Sequence, residues 1–120
     1  MLDPRDVAAV AAETLLSSIH NGLTYTLTGP EPLSVPDQAA ILAKLLNRPV
    51  VTEDLPPAEA WARLLARGMG TAIVDAIVAG ASWARRGHNA VVTEDGSRVP
   101  GRAATGFESW ARDHLWEFSG

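Results

Sequence analysis

Apolar residues at Ala8, Ala11, Ala12, Leu15 and Leu16 recur at three- and four-residue spacing, and Val7 and Val10 widen the stripe. That period predicts a helix from Pro4 to about Ser18 with one broad face that must be covered. Asp3 offers a capping side chain, Pro4 suits the first helical position, and Asp6 lies near the positive end of the helix dipole. Asn21-Gly22 stops the helix. Leu23 to Thr28 is β-branched and aromatic, is closed by Gly29-Pro30, and predicts a strand. Ser34 with Asp37 three residues later is a capping-box start for a second helix, which carries Ala39, Ile41, Leu42, Leu45 and Leu46 and ends at Asn47. Pro49 to Thr52 predicts a second short strand.

Pro56-Pro57 opens a third helix with Trp61, Leu64 and Leu65, ending near Gly68. A fourth runs from Thr71 to Arg86 and is apolar almost all round at Ile73, Val74, Ile77 and Val78, which predicts burial on more than one side. Gly87 to Gly106 is loop-like, punctuated by Asp95-Gly96, Pro100-Gly101 and Thr105-Gly106. Thr105 and Glu108 form a second capping box before a last helix through Trp110, His114 and Phe118. The expected fold class is therefore α/β, a helix-rich α+β arrangement of about five helices and two short strands, in one domain over residues 1–120.

Composition narrows the classes. The chain has 120 residues, a net charge of −4 and no cysteine, which excludes a disulfide framework or a Cys-based zinc site. Nine arginines and the single Lys44 are scattered and form no basic stripe. Nucleic acid and membrane are therefore not expected as partners. No stretch approaches the ~18 apolar residues of a membrane span, and the N-terminus lacks a basic region followed by an apolar one. A cytoplasmic protein is the expectation.

Several runs resemble one family. Asp3-Pro4-Arg5-Asp6-Val7-Ala8-Ala9-Val10-Ala11, Tyr25-Thr26-Leu27-Thr28-Gly29-Pro30-Glu31 and Leu45-Leu46-Asn47-Arg48-Pro49-Val50 resemble the C-terminal, substrate-side half of NmrA-like atypical short-chain dehydrogenase/reductases. So do Val92-Thr93-Glu94-Asp95, Gly101-Arg102 and Phe107-Glu108-Ser109-Trp110-Ala111-Arg112-Asp113-His114. The resemblance implies a truncated Rossmann-type subdomain without the glycine-rich strand-turn-helix that binds a dinucleotide. Gly68-Met69-Gly70 is the nearest approach, and it lies between two helices with no strand before it. No cofactor is expected on this chain alone. The resemblance also implies an unpaired strand edge at Leu23–Thr28 and an uncovered first helix, so a homodimer or a complex with a Rossmann-type partner is expected.

Chemistry has to come from isolated groups. Asp75, in the apolar fourth helix, suits an acid if buried, against the alternative of a solvated edge position. His88, after Arg85-Arg86-Gly87 and before Glu94 and Asp95, suits a base oriented by a carboxylate, against a helix-terminus role. His114 and His20 read as a packed helix residue and a helix terminus. Trp61, Met69, Ile73, Ile77 and Trp83 are candidates to line an apolar small-molecule pocket, against the alternative that the tryptophans, Trp110 and Trp116 included, simply fill the core. Tyr25 is counted with the substrate-binding candidates. Three functions follow: a cofactor-free cyclase, isomerase or dehydratase acting on an apolar, polyketide-like substrate; a non-catalytic partner that completes a Rossmann-type oxidoreductase; or a fragment of one.

Overall fold

The computed structural model describes residues 1–118. Its regular elements are helical: α1 (Pro4–Leu16), α2 (Val35–Leu46), α3 (Pro57–Ala66), α4 (Thr71–Arg85), the single turn α5 (Asp95–Arg98) and α6 (Phe107–Asp113). One-turn 3-10 helices follow α1 at Ser18–His20 and α6 at Leu115–Phe118. Among the described residues there is no strand, which corrects the expected α/β class.

The reason lies in what satisfies the backbone of the two predicted strands. A strand needs a second backbone to complete its ladder. Beside Leu23–Thr28 that role falls to side chains. The Thr26 amide donates to Asp95 Oδ2 at 2.9 Å. The Thr93 amide donates to Thr28 Oγ1 at 2.9 Å, and the Thr93 hydroxyl donates to the Thr26 carbonyl. Pro49 has no amide to give a ladder, and Val51 is exposed.

Local signals placed most helices. Asp3 caps α1 by accepting the Arg5 amide at 2.8 Å. Ser34 and Asp37 form the reciprocal capping box of α2, and Asn47 closes that helix in the left-handed conformation. The exception is α6, whose N-cap is Gly106 without a side-chain bond. Thr105 does not cap it because its amide and hydroxyl both go to Asp6.

The chain divides into two compact units, Met1–Val51 with Val91–Gly120, and Thr52–Ala90. In the first unit, α2 packs on α6 and on the 3-10 turn after it, and α1 packs on α5. Val10, Ala39, Phe107 and Ala111 are its buried apolar residues. Trp110 stacks between Phe107 and His114, with ring centroids 5.9 and 4.6 Å away. Two of its carboxylates, Asp3 and Asp6, are buried. Asp6 is 1% exposed and accepts the Thr105 amide at 2.6 Å, with Arg102 Nη1 2.9 Å away. Asp3 receives the side chain of Arg5, whose Nη1 reaches Asp113 at 2.8 Å. At Gly29 a Cβ would stand 1.8 Å from the Met1 carbonyl oxygen, so only glycine lets the first residue lie there.

The second unit is the α3–α4 hairpin, in which Val74 is fully buried. The expectation that α4 is buried on more than one side is corrected, because Ile73 and Ile77 are exposed. Among the described residues of this unit, α3 is the helix that covers α4.

Candidate functional site

The α3–α4 hairpin carries most of the candidate residues and builds a small groove. Gly68, with positive φ, reverses the chain after α3, and Gly70 caps the start of α4. The two helices then lie side by side with Trp61 on one and Asp75 on the other. The Trp61 indole N–H donates to Asp75 Oδ1 at 2.8 Å, which fixes the ring across the hairpin. A groove of about 160 Å³ opens between the helices, floored by Leu64, Ile77, Val78 and Ala81 and edged by Arg85 and Glu53. Its walls are mostly apolar with few polar groups, the usual makeup of a small-molecule site. Salt bridges flank it: Arg63 joins Glu53 at 3.1 Å and Glu59 at 2.6 Å, and Arg85 pairs with Asp54. The two carboxylates hold the Arg63 guanidinium above its usual basicity, first through Glu53.

Each candidate has a definite place. Ile77 lines the groove. Trp61, Met69 and Ile73 are exposed side chains of the same unit. Trp83, 48% exposed, stacks on the His88 ring at 5.5 Å between centroids and 27° between planes. Asp75 is exposed, so the burial on which an acid role rested is absent. His88 is exposed as well, and Asp95, one of the carboxylates expected to orient it, is engaged by Thr26 and Arg98. Tyr25 belongs to the other unit, where its hydroxyl lies 2.7 Å from His20 Nδ1. Of the tryptophans, Trp110 is half-buried and stacked on Phe107 and His114, whereas Trp61, Trp83 and Trp116 are exposed.

Sequence reasoning missed two groups. Asp6, Arg102 and Thr105 meet across nearly the whole chain, and periodicity carries no sign of that; only the presence of charges inside resembling runs hinted at it. The second is His20 with Tyr25, whose five-residue separation crosses a 3-10 turn rather than a helical face.

Among the described residues, no group of three or more His, Cys, Asp or Glu could hold a metal ion, and no helix is long and apolar enough to cross a membrane. A dinucleotide cradle needs a strand leading into its glycine turn. Gly68-Met69-Gly70 follows α3 instead, so this turn does not fit that group.

No protein-family profile matches the chain. Three curated proteins are similar to it along nearly its whole length. It is 34% identical over 118 residues to a (4-alkanoyl-5-oxo-2,5-dihydrofuran-3-yl)methyl phosphate reductase of Streptomyces griseus, covering 98% of this chain and 42% of that protein. It is 32% identical over 117 residues to an NAD(P)H azoreductase of Xenophilus azovorans, covering 98% and 41%. It is 23% identical over 119 residues to the prestalk A differentiation protein A of Dictyostelium discoideum, covering 99% and 40%. The chain thus spans about two fifths of the length of the curated relatives it matches, and it is consistent with a fragment of a reductase.

Proposed function

We propose that this chain supplies the small-molecule-binding side of an NAD(P)-dependent reductase of NmrA-like type and works with a separate nucleotide-binding part. The observation that carries this reading is the match of 98% of the chain to two reductases whose names specify quite different substrates. The α3–α4 groove offers an apolar floor for a small, flat molecule, with Trp61 and Trp83 as exposed aromatic surfaces in the same unit. Leu15, Leu16 and Ile19, at the end of α1 and in the turn after it, are each more than 70% exposed. Apolar side chains so grouped favour a protein partner. A Rossmann-type part is the partner proposed, and a second copy of the chain is the alternative cover.

Calorimetric titration with the azo dye methyl orange tests the binding reading. Saturable binding is expected, and Ile77→Asp should weaken it at least tenfold. NADPH should give no saturable heat with this chain alone. Dye binding that Ile77→Asp leaves untouched, or tight NADPH binding, overturns the proposal. A second reading keeps a cofactor-free cyclase, isomerase or dehydratase acting on a polyketide-like substrate through Asp75 and His88. It draws on the carboxylate held beside the Trp61 ring. Turnover of an apolar ketone that is lost in Asp75→Asn would favour it.

A further inference from the structure

The two charged side chains that line the groove between α3 and α4 are held very differently. Glu53 has both carboxylate oxygens engaged: Arg63 Nη1 donates to Oε2 at 3.2 Å and Nη2 to Oε1 at 3.1 Å. Arg85 is paired with Asp54, whose side chain is 87% exposed and stands outside the groove lining. An exposed pair of this kind adds little stability, so water or another anion readily replaces the carboxylate. Ser82 lines the same groove and is half-buried. Residues three apart on a helix share a face, so α4 offers the Ser82 hydroxyl and the Arg85 guanidinium side by side.

The apolar part limits what fits. Leu64, Ile77, Val78 and Ala81 floor a space of about 160 Å³. An apolar cavity of ~150 Å³ holds one benzene molecule, so one aromatic ring fills the floor and a second ring must lie outside it. A neutral ring leaves Arg85 with Asp54. A ring that carries an oxyanion gains the guanidinium as well, because its planar fork meets such a group through two parallel N–H bonds.

Resting on the reading of this groove as a small-molecule site, we infer that its ligands are aromatic anions that insert a single ring. The ring covers Ile77 and Val78, its sulfonate or carboxylate takes Arg85 in place of Asp54, and Asp54 turns out to solvent. Specificity at this groove is thus set by an exchange of anions on Arg85, and the floor sets only the size of the ring.

Two dyes test the exchange by equilibrium dialysis: methyl orange, an arenesulfonate, and dabsyl amide, which has a neutral sulfonamide in place of the sulfonate. Methyl orange should bind about tenfold tighter, as a charge-assisted contact weakened by exposure. Arg85→Gln should abolish that preference and leave the sulfonamide unchanged. Asp54→Asn removes the competing carboxylate and should tighten methyl orange about two- to fivefold without affecting the sulfonamide. Arg86→Gln alters the neighbouring exposed arginine, which does not line the groove, and should change neither. Equal affinity for the two dyes, with Ile77→Asp weakening both, overturns the anion preference and keeps the groove as a small-molecule site. Equal losses in Arg85→Gln and Arg86→Gln overturn it too, because they report overall charge rather than a placed guanidinium. If neither dye binds saturably, the reading of the groove itself fails and this inference falls with it. Should Arg85→Gln unfold, an unchanged methyl orange affinity in Asp54→Asn decides against the exchange alone.

Discussion

The two units are both helical, yet they are held together by different means. In the first, a buried carboxylate ties groups far apart in sequence, Asp6 to Thr105 and Arg102, while buried Asp3 holds its neighbour Arg5, which reaches on to the exposed Asp113. In the second, neighbours in sequence fold against each other, Val74 is buried, and the charged pairs Arg63–Glu53 and Arg85–Asp54 lie at the exposed surface. Exposed pairs add little stability, whereas a buried carboxylate stripped of its donors, or donors stripped of their carboxylate, is costly. The first unit therefore spends its polar groups on structure. The second keeps its ion pairs at the surface, beside the groove between its two helices.

The difference can be broken most forcefully at Asp6. Asp6→Ala leaves the part-buried Thr105 amide and the Arg102 guanidinium without their acceptor and should cost about 2–3 kcal/mol, read as a lower midpoint in urea unfolding. A loss below about 1 kcal/mol would show that the long-range tie is dispensable. Within the hairpin the largest single effect should come from Val74→Ala, about 2 kcal/mol from lost burial and a cavity. Local hydrogen exchange in α3 and α4 should report that loss while α2 and α6 stay protected.

Acid sharpens the contrast at the first unit. Hydrogen bonds from Arg5 hold the Asp3 carboxyl below the usual aspartate value, despite the opposing effect of burial. Ser34 does the same for Asp37, and Arg98 followed by the Thr26 amide for Asp95. A depressed native value means that these contacts stabilise fully above the unfolded value near pH 4 and are lost as pH falls below it through the native values. Circular dichroism from pH 6 to pH 2 should show that decline, and Arg5→Met should make it shallower. The smallest effect is expected at the hairpin's cross-link. Trp61→Phe removes one exposed hydrogen bond to Asp75, so the unfolding midpoint should move by less than about 1 kcal/mol while methyl orange affinity falls several-fold. A large loss of stability there would make the indole structural rather than a ligand surface.

Much of the helical outline was legible because it is written locally. The caps at Asp3 and Ser34, the stop at Asn47 and the restart at Thr71 each depend on a few adjacent residues. The strands were misread because β-branched residues at Leu23–Thr28 declare a preference for extended backbone but cannot declare a partner, and side chains of Asp95 and Thr93 occupy the partner's place. Thr105 was misassigned for a similar reason: a capping residue and a distant carboxylate compete for the same threonine, and only the fold brings Asp6 within reach. Of the candidate residues, Trp61 and Trp83 lie on helices as the sequence indicated. The pairing of Trp61 with Asp75, and of His20 with Tyr25, needed the turn geometry that spacing omits.

The tie between Asp6 and Thr105 spans 99 positions of sequence, and that span has a meaning in time. At ~5–20 residues per second, roughly 5–20 s of synthesis separate the two groups. Through that interval α1 has neither its buried anchor nor α5, on which it packs. The α3–α4 hairpin, whose contacts are local, can close as soon as it is made. The hairpin can thus close on its own contacts well before α1 gains the tie to Thr105 that secures it.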